Sequence, residues 1–303
     1  MRQAVAAIGD RRERGIALLL VIWMMALLSS VAMIAAGNAR ADLQIARNLL
    51  DAAQARSLAD GGVWWMMARL AERDAVAPGA ILDNADGTPT RLSLDGRTIE
   101  VAVQDEGGKI DVNTADAALL ANLCRVVGLG AGAEAIAEDI VQYRERRSRD
   151  RSKAAPQPAF IVIEELRLVP GLDLDIYARL LPFVTVYTRD GRVNPRTASR
   201  EVIMALPGIL PLQAEAYLRD RARKELGAET AALPVSLASA AHYLSVSTPQ
   251  IVTVTATTHG GGQVKSVREA VVELAATPDH PLHLIAWRIG PAVLPEGSDI
   301  VAR

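Results

Sequence analysis

The apolar run at residues 16–37 constrains this chain more than any other stretch of its sequence. An α-helix needs about 20 residues to cross the hydrocarbon of a bilayer, because each residue advances it by about 1.5 Å. The run starts directly after Arg11-Arg12-Glu13-Arg14-Gly15, and no charge returns before Arg40. Arginine is retained preferentially on the cytoplasmic side, so the sequence predicts one crossing, with the N-terminus in the cytoplasm and everything beyond about residue 40 outside. A plain signal anchor satisfies these facts. So does a removable secretory signal cut near Ala39-Arg40-Ala41, although the run exceeds the roughly 7 to 15 residues of an ordinary signal core. The residues after the run bear on which reading holds.

Those residues form the pattern of a helical stem. Leu43, Ala46, Leu50, Ala53, Leu58, Met66 and Leu70 recur at roughly helical spacing among Arg47, Asp51, Gln54, Arg56 and Asp60, as in an amphipathic helix. As one helix, residues 16–73 would make a rod of roughly 87 Å. The most apolar patch of the stem is Trp64-Trp65-Met66-Met67. It lies roughly 40 Å of helix past the membrane run, so it is read as packing on a sheet rather than as an aromatic belt.

Beyond the stem the hydrophobic period changes from helix to strand. Leu92 and Leu94, then Ile99, Val101 and Val103, alternate with polar residues around Asp95-Gly96, as in a hairpin with a tight turn. A second strand-rich region carries Val252, Val254 and Ala256 in alternation, a turn at Gly260-Gly261-Gly262, a return over residues 264–275 and a further strand over 282–289. Between these regions the chain is mainly helical and repeats itself weakly. Val112-Asn113-Thr114-Ala115, Leu119, Leu120, Gly128, Ala135 and Arg144 are echoed by Val193-Asn194, Thr197-Ala198, Val202, Ile203, Gly208, Ala214 and Arg219. Each copy reads as helix, glycine turn, helix, with Asn or Thr expected to cap the first helix. Residues 164–172, Glu-Glu-Leu-Arg-Leu-Val-Pro-Gly-Leu, supply a third hairpin.

Composition narrows the function. Half the residues are hydrophobic, enough for packed domains beside the membrane helix. A formal charge of −2 gives no general attraction to nucleic acid. Cys124 is the single cysteine, so no intrachain disulfide can form even in an oxidising compartment; it is read as a small buried apolar side chain. No catalytic constellation is found and no enzymatic role is expected. His242, His259, His280 and His283 lack zinc-ligand spacing. Asp83, Asn84 and Asp86 before Gly87 resemble the start of a calcium loop, but the remaining ligands and the closing glutamate are missing. No cofactor is expected; calcium stays open as a ligand, though no clear motif supports it.

The Gly15-Ile16 junction, with its short basic leader, resembles the processing site of type IV prepilins and pseudopilins. The pattern R-G-x-A-L-L-x-V-x-W at Arg14–Trp23 is similar to that of the type II secretion system protein K family of minor pseudopilins. So are E-E-L-R-x-V-P-G, P-F-x-T-V-Y and V-N-x-x-T-A-S inside a mainly helical insertion. The resemblance covers essentially the whole chain. It implies an α+β fold in which a long N-terminal helix packs on a small antiparallel sheet, pilin-like, with a large SAM-like or helix-hairpin-helix insertion. The corresponding organisation is a leader at 1–15, a transmembrane helix at 16–37, a stem at 38–74, a β domain at 75–110 and 242–303, and an inserted helical domain at 111–241.

The same resemblance implies a mechanical role at the tip of a pseudopilus. Prepilin peptidase would cleave between Gly15 and Ile16, and the new Ile16 amine would be methylated. The I and J minor pseudopilins would be partners, with the H component, the inner-membrane assembly platform and secreted substrates as further candidates. Most pilin-like chains carry glutamate at the fifth mature position, where it neutralises a neighbour's terminal amine; this chain has Leu20. An unpaired charge in hydrocarbon costs about 2.5 to 3.5 kcal/mol on insertion scales, so an apolar residue suits a subunit with nothing stacked above it. Ser29, Ala32, Ala36 and Gly37 are small enough to allow close helix packing in the membrane. The implied location is the bacterial inner membrane, with the C-terminal part periplasmic.

One alternative is a membrane-anchored DNA-binding or uptake protein, since helix-hairpin-helix units also hold phosphates through hairpin amides and nearby cations. The hairpins here are followed by Asp173, Asp175 and Glu134, or carry Pro211, none of which favours an anion. The basic run Arg144, Arg146, Arg147, Arg149, Arg151 and Lys153 precedes Ala-Ala-Pro-Gln-Pro and is read as a solvated loop. No nucleic-acid partner is expected.

Overall fold

A computed structural model describes residues 6–72, 82, 85–94, 97–151, 158–224, 235–259, 265–277 and 280–290. Several sequence readings fall outside these residues: the Asp95-Gly96 and Gly260-Gly261-Gly262 turns, Asp83 and Asn84, Lys153, and the end of the stem beyond residue 72. The chain divides into two compact units, one built around its helix up to Ala55, the other starting at Arg56.

Helix α1 runs over Ala6–Ala71 without interruption. From Leu18 onward it is long and apolar enough to cross a membrane, with a window of mean hydropathy 2.5. In the first unit its residues from Leu18 to Leu50 are all exposed, among them Leu43, Ala46 and Leu50 of the expected stem stripe. In the second unit, Ala59, Val63, Met66, Met67 and Leu70 are buried. Their spacing of three and four residues puts them on one helical face. The stem pattern read from sequence therefore joins residues that are exposed to residues that pack.

That face lies on a five-stranded antiparallel sheet of order β1-β2-β5-β6-β7, formed by β1 (Thr90–Leu94), β2 (Arg97–Asp105), β5 (Ile251–His259), β6 (Lys265–Thr277) and β7 (His280–Ile289). Ile99, Val101 and Val103 alternate inward along β2, and Val252, Val254 and Ala256 do so along β5, as the period of two predicts. Burying each of these isoleucine and valine side chains is worth about 1.5 to 3 kcal/mol. Gly62 brings the α1 backbone close to this surface: a Cβ there would lie 3.1 Å from Ala256 Cβ and 3.2 Å from Ile99 Cγ2. Arg268 of β6 donates to Asp60 Oδ1 at 2.7 Å, and Trp64 stacks on Trp287 of β7 with centroids 5.3 Å apart. Met66 and Met67 pack as expected, whereas Trp64 remains more than half exposed.

The chain between β2 and β5 forms a second core. It contains a short parallel pair, β3 (Ile110–Asp111) with β4 (Val184–Thr185), and helices α2 (Ala117–Val126), α3 (Ala133–Arg151), α4 (Leu174–Leu180), α5 (Arg200–Ala205) and α6 (Pro211–Lys224). Leu119, Leu120, Leu123, Ile140, Phe160 and Ile203 are among its fully buried side chains. The fold is thus α+β, with a helical stretch placed between two neighbouring strands of one sheet.

The helix-turn-helix repetition is present. Gly128 (φ +89°), between α2 and α3, and Gly208 (φ +81°), between α5 and α6, adopt the left-handed conformation that glycine enters at little cost. The caps differ from expectation. Asp116 accepts from Leu119 N at 2.8 Å, Asp173 from Ile176 N at 2.8 Å and Ser199 from Val202 N at 3.3 Å. An N-cap oxygen must sit in extended backbone immediately before the first helical residue, and Asn113 and Asn194 lie too far upstream.

Candidate functional site

The sequence-predicted residues of the membrane helix all fall on α1. Gly15 and Ile16 lie within its continuous backbone. Leu20 is 63% exposed; Ser29, Ala32 and Ala36 are exposed, and a Cβ on Gly37 would meet nothing within 4 Å. Ser29, Ala32 and Ala36 share a face at spacings of three and four, while Gly37 is about 100° further round the helix. Cys124 is a free, buried thiol, pushed up to about 11 mainly by burial, consistent with an inert packing residue. Asp86 caps a local turn by accepting from Thr88 N at 2.9 Å. Among the described residues no group of His, Cys, Asp and Glu is arranged to hold a metal.

The basic run is helical, not a loop: α3 continues to Arg151. Arg144 donates to the carbonyls of Val112 (3.1 Å) and Ala115 (2.8 Å). Arg147 donates to Tyr143 Oη at 2.8 Å and to Glu165 Oε1 at 2.9 Å. These two guanidinium groups serve the fold. The counterpart of Arg144 in the second copy is Arg221, which donates to the carbonyls of Pro195 (2.9 Å) and Ala198 (2.6 Å). Arg219, the residue the sequence echo points to, does not occupy that place. With Arg144 matched to Arg221, Ala137 and Ile140 match Ala214 and Tyr217, and all four are buried.

Three buried acids were missed in the sequence, Asp105, Glu106 and Asp111, all at most 2% exposed; the first two join the two cores, and Asp111 lies just inside the helical one. Asp105 continues the inward alternation of β2. Its carboxylate accepts from Gly107 N (2.8 Å), Asn194 Nδ2 (2.9 Å) and Thr197 Oγ1 (2.7 Å). Glu106 accepts from Lys109 Nζ (2.6 Å), Thr253 Oγ1 (2.7 Å) and Thr185 Oγ1. Asp111 accepts from Asn113 N (2.8 Å), Arg189 N (2.7 Å) and Thr188 Oγ1 (3.0 Å). Burial pushes Asp105 and Asp111 above the ordinary aspartate value, against the pull of these donors. Burial also acts to raise Glu106, but the Lys109 ammonium and the two threonine hydroxyls outweigh it and hold this carboxyl below its ordinary value. The sequence did contain a signal, since an acid at the next inward position of an apolar strand must find donors or suffer the cost of desolvation.

Asn113 and Asn194 occupy equivalent places in the two repeats but serve different neighbours. Asn113 donates to the carbonyls of Phe160 (3.0 Å) and Val186 (3.2 Å) and accepts from Phe160 N (2.9 Å). Asn194 donates to Asp105 and to the carbonyl of Ser247 (3.1 Å).

Residues 100–189 match the family described as type II secretion system (T2SS), protein K. No curated protein matches the chain. Among solved structures, the chain is similar to one in the crystal structure of the GspK–GspI–GspJ complex from the enterotoxigenic Escherichia coli type 2 secretion system. The two share 17% identity with a TM-score of 0.48, over 76% of this chain and 96% of the other. Two of the motifs that suggested the family, Glu164–Gly171 and Pro182–Tyr187, lie inside the matched segment, whereas the one at Val193–Ser199 lies beyond it. The protein K resemblance read from the sequence is therefore borne out over residues 100–189, under a third of the chain.

Proposed function

We propose that this chain is a minor pseudopilin of the type II secretion system that starts and caps the pseudopilus, the filament serving export of folded periplasmic proteins across the outer membrane. The observation that carries the reading is the protein K match over residues 100–189. The exposed apolar stretch of α1 supplies a single-pass anchor. On this reading residues 1–15 are a leader removed by prepilin peptidase, and Ile16 becomes the methylated N-terminus. Residues 16–37 span the inner membrane, 38–74 form the stem, and the β domain (75–110 and 242–303) with its helical insertion (111–241) is periplasmic. Association with the I and J minor pseudopilins would use Ser29, Ala32, Ala36 and Gly37 in lipid, where close van der Waals contact replaces the hydrophobic effect. Leu20 fits a top position because no amine from a subunit above requires neutralising. The bulk of the helical insertion would obstruct stacking on the tip.

N-terminal sequencing of the membrane-extracted protein tests the reading directly. A start at Ile16 is expected; Asp42 would indicate a secreted soluble domain and Met1 a plain anchor. Leu20→Glu should reduce secretion and tip occupancy, and unchanged values of both would remove the explanation of the missing acid.

A further inference from the structure

The helical stretch leaves the sheet at the end of β2 and returns at the start of β5, and these ends are neighbours: Asp105 faces Val252 in register. Two adjacent crossings of backbone would by themselves form a pivot. Side chains on both sides of the crossing remove that freedom. Asp105 ties the end of β2 to Asn194 and Thr197 of the second repeat, and Asn194 N donates to the Gly107 carbonyl at 2.7 Å. Glu106 ties Thr253 of β5 to Thr185 of β4, with Lys109 balancing its charge. The backbones are in contact as well, since a Cβ on Gly108 would lie 2.8 Å from the Thr197 carbonyl. At β7, Arg288 bonds Glu269 of β6 at 2.8 Å and lies 3.7 Å from Glu164 of the helical stretch.

We infer that residues 105–111 form a rigid joint that holds the helical stretch at a fixed orientation on the sheet and transmits force between them, with Glu106 as its central positioning residue. Its three partners come from the sheet, from the helical core and from the intervening turn, so no single core satisfies this carboxylate alone. A buried charge with split partners resists rotation, because any swing leaves the charge or its donors unpaired in a dry environment. The transmission of force rests on the filament-tip reading; the joint itself does not.

The test is hydrogen exchange on the full-length protein in detergent, comparing wild type with Glu106→Gln and with Thr253→Val, the milder variant that should fold even if the first does not. Exchange at the amides of Lys109, Val112 and Asn194 should rise about tenfold or more, while amides in α2 and α5 and in the centre of β2 change by less than about threefold. A uniform rise across both cores, or no rise at the three amides, overturns the joint. Secretion by the Thr253→Val strain should fall in step with the local rise in exchange. A raised local exchange with undiminished secretion overturns the force-transmitting role while leaving cleavage at Gly15 and membership of the filament as separate questions.

Discussion

In the first helical repeat Arg144 holds the carbonyls of Val112 and Ala115, and in the second Arg221 holds those of Pro195 and Ala198. Yet the asparagines at their entrances are used differently. Asn113 closes the first repeat on backbone groups of its own core, whereas Asn194 hands its amide to a carboxylate at the end of a sheet strand. One local plan is thus reused, but the second repeat is also tied to the end of a sheet strand, through Asn194 and Thr197. Regular elements need only backbone bonds and apolar burial, while attachment depends on which buried polar group happens to lie opposite.

Asn194→Asp should break the comparison most strongly. It places a second carboxylate against buried Asp105 and should cost about 3 to 5 kcal/mol, the range for an uncompensated buried charge. Asn113→Asp, whose side chain bonds backbone groups of Phe160 and Val186 rather than a carboxylate, should cost less, and urea unfolding of both variants measures the gap. Lowering the pH should partly rescue Asn194→Asp, because two facing carboxylates can share a proton.

Next comes the sheet side of the joint. Glu106→Gln should cost about 1.5 to 3 kcal/mol at neutral pH, the value of hydrogen bonds to a charged group. The Glu106 carboxyl is held below its ordinary value of 4.5. Its contribution is therefore complete above that pH and is lost as pH falls through the lower folded-state value. Asp105 is raised above 3.8, so its contribution is complete below that pH and is lost as pH rises through the folded-state value. Unfolding curves across the acid range should show the Glu106→Gln defect fading on acidification and the Asp105→Asn defect growing.

Arg144→Ala and Arg221→Ala should each cost about 1.5 to 3 kcal/mol, since each leaves two carbonyls without their charged donor. Similar losses in thermal melts would sharpen the equivalence of the repeats. A negligible effect at Arg221 would break it. The smallest effects belong to the caps: Asp173→Ala and Ser199→Ala should each lower stability by about 1 kcal/mol.

Much of this architecture is legible in the sequence. The alternation of Ile99, Val101 and Val103 announces β2, and Gly128, Gly171 and Gly208 mark the three helical turns. The caps are not legible, because an N-cap is defined by the first helical residue, and a short helix such as Arg200–Ala205 has too little periodicity to show where it begins. Arg219 and Arg221 both fit a basic position near the end of a helix. Which of them reaches the carbonyls of Pro195 and Ala198 depends on helix rotation against the neighbouring turn. The basic residues 144–151 have the composition of a solvated run because charge carries no record of a partner distant in sequence.

By itself the sequence determined the long apolar helix, the basic residues before it, the strand alternation and the glycine turns. All of these follow from interactions between residues a few positions apart or between a segment and its solvent. The resemblance implied one sheet from both strand regions; only the tertiary structure decided the register in which β2 pairs with β5, that Trp64 meets Trp287, and that Asp105, Glu106 and Asp111 find donors inside the protein. Glu106 and Thr253 are separated by 147 positions. No local pattern encodes such a bond, because its strength arises from the exclusion of water that the finished fold creates.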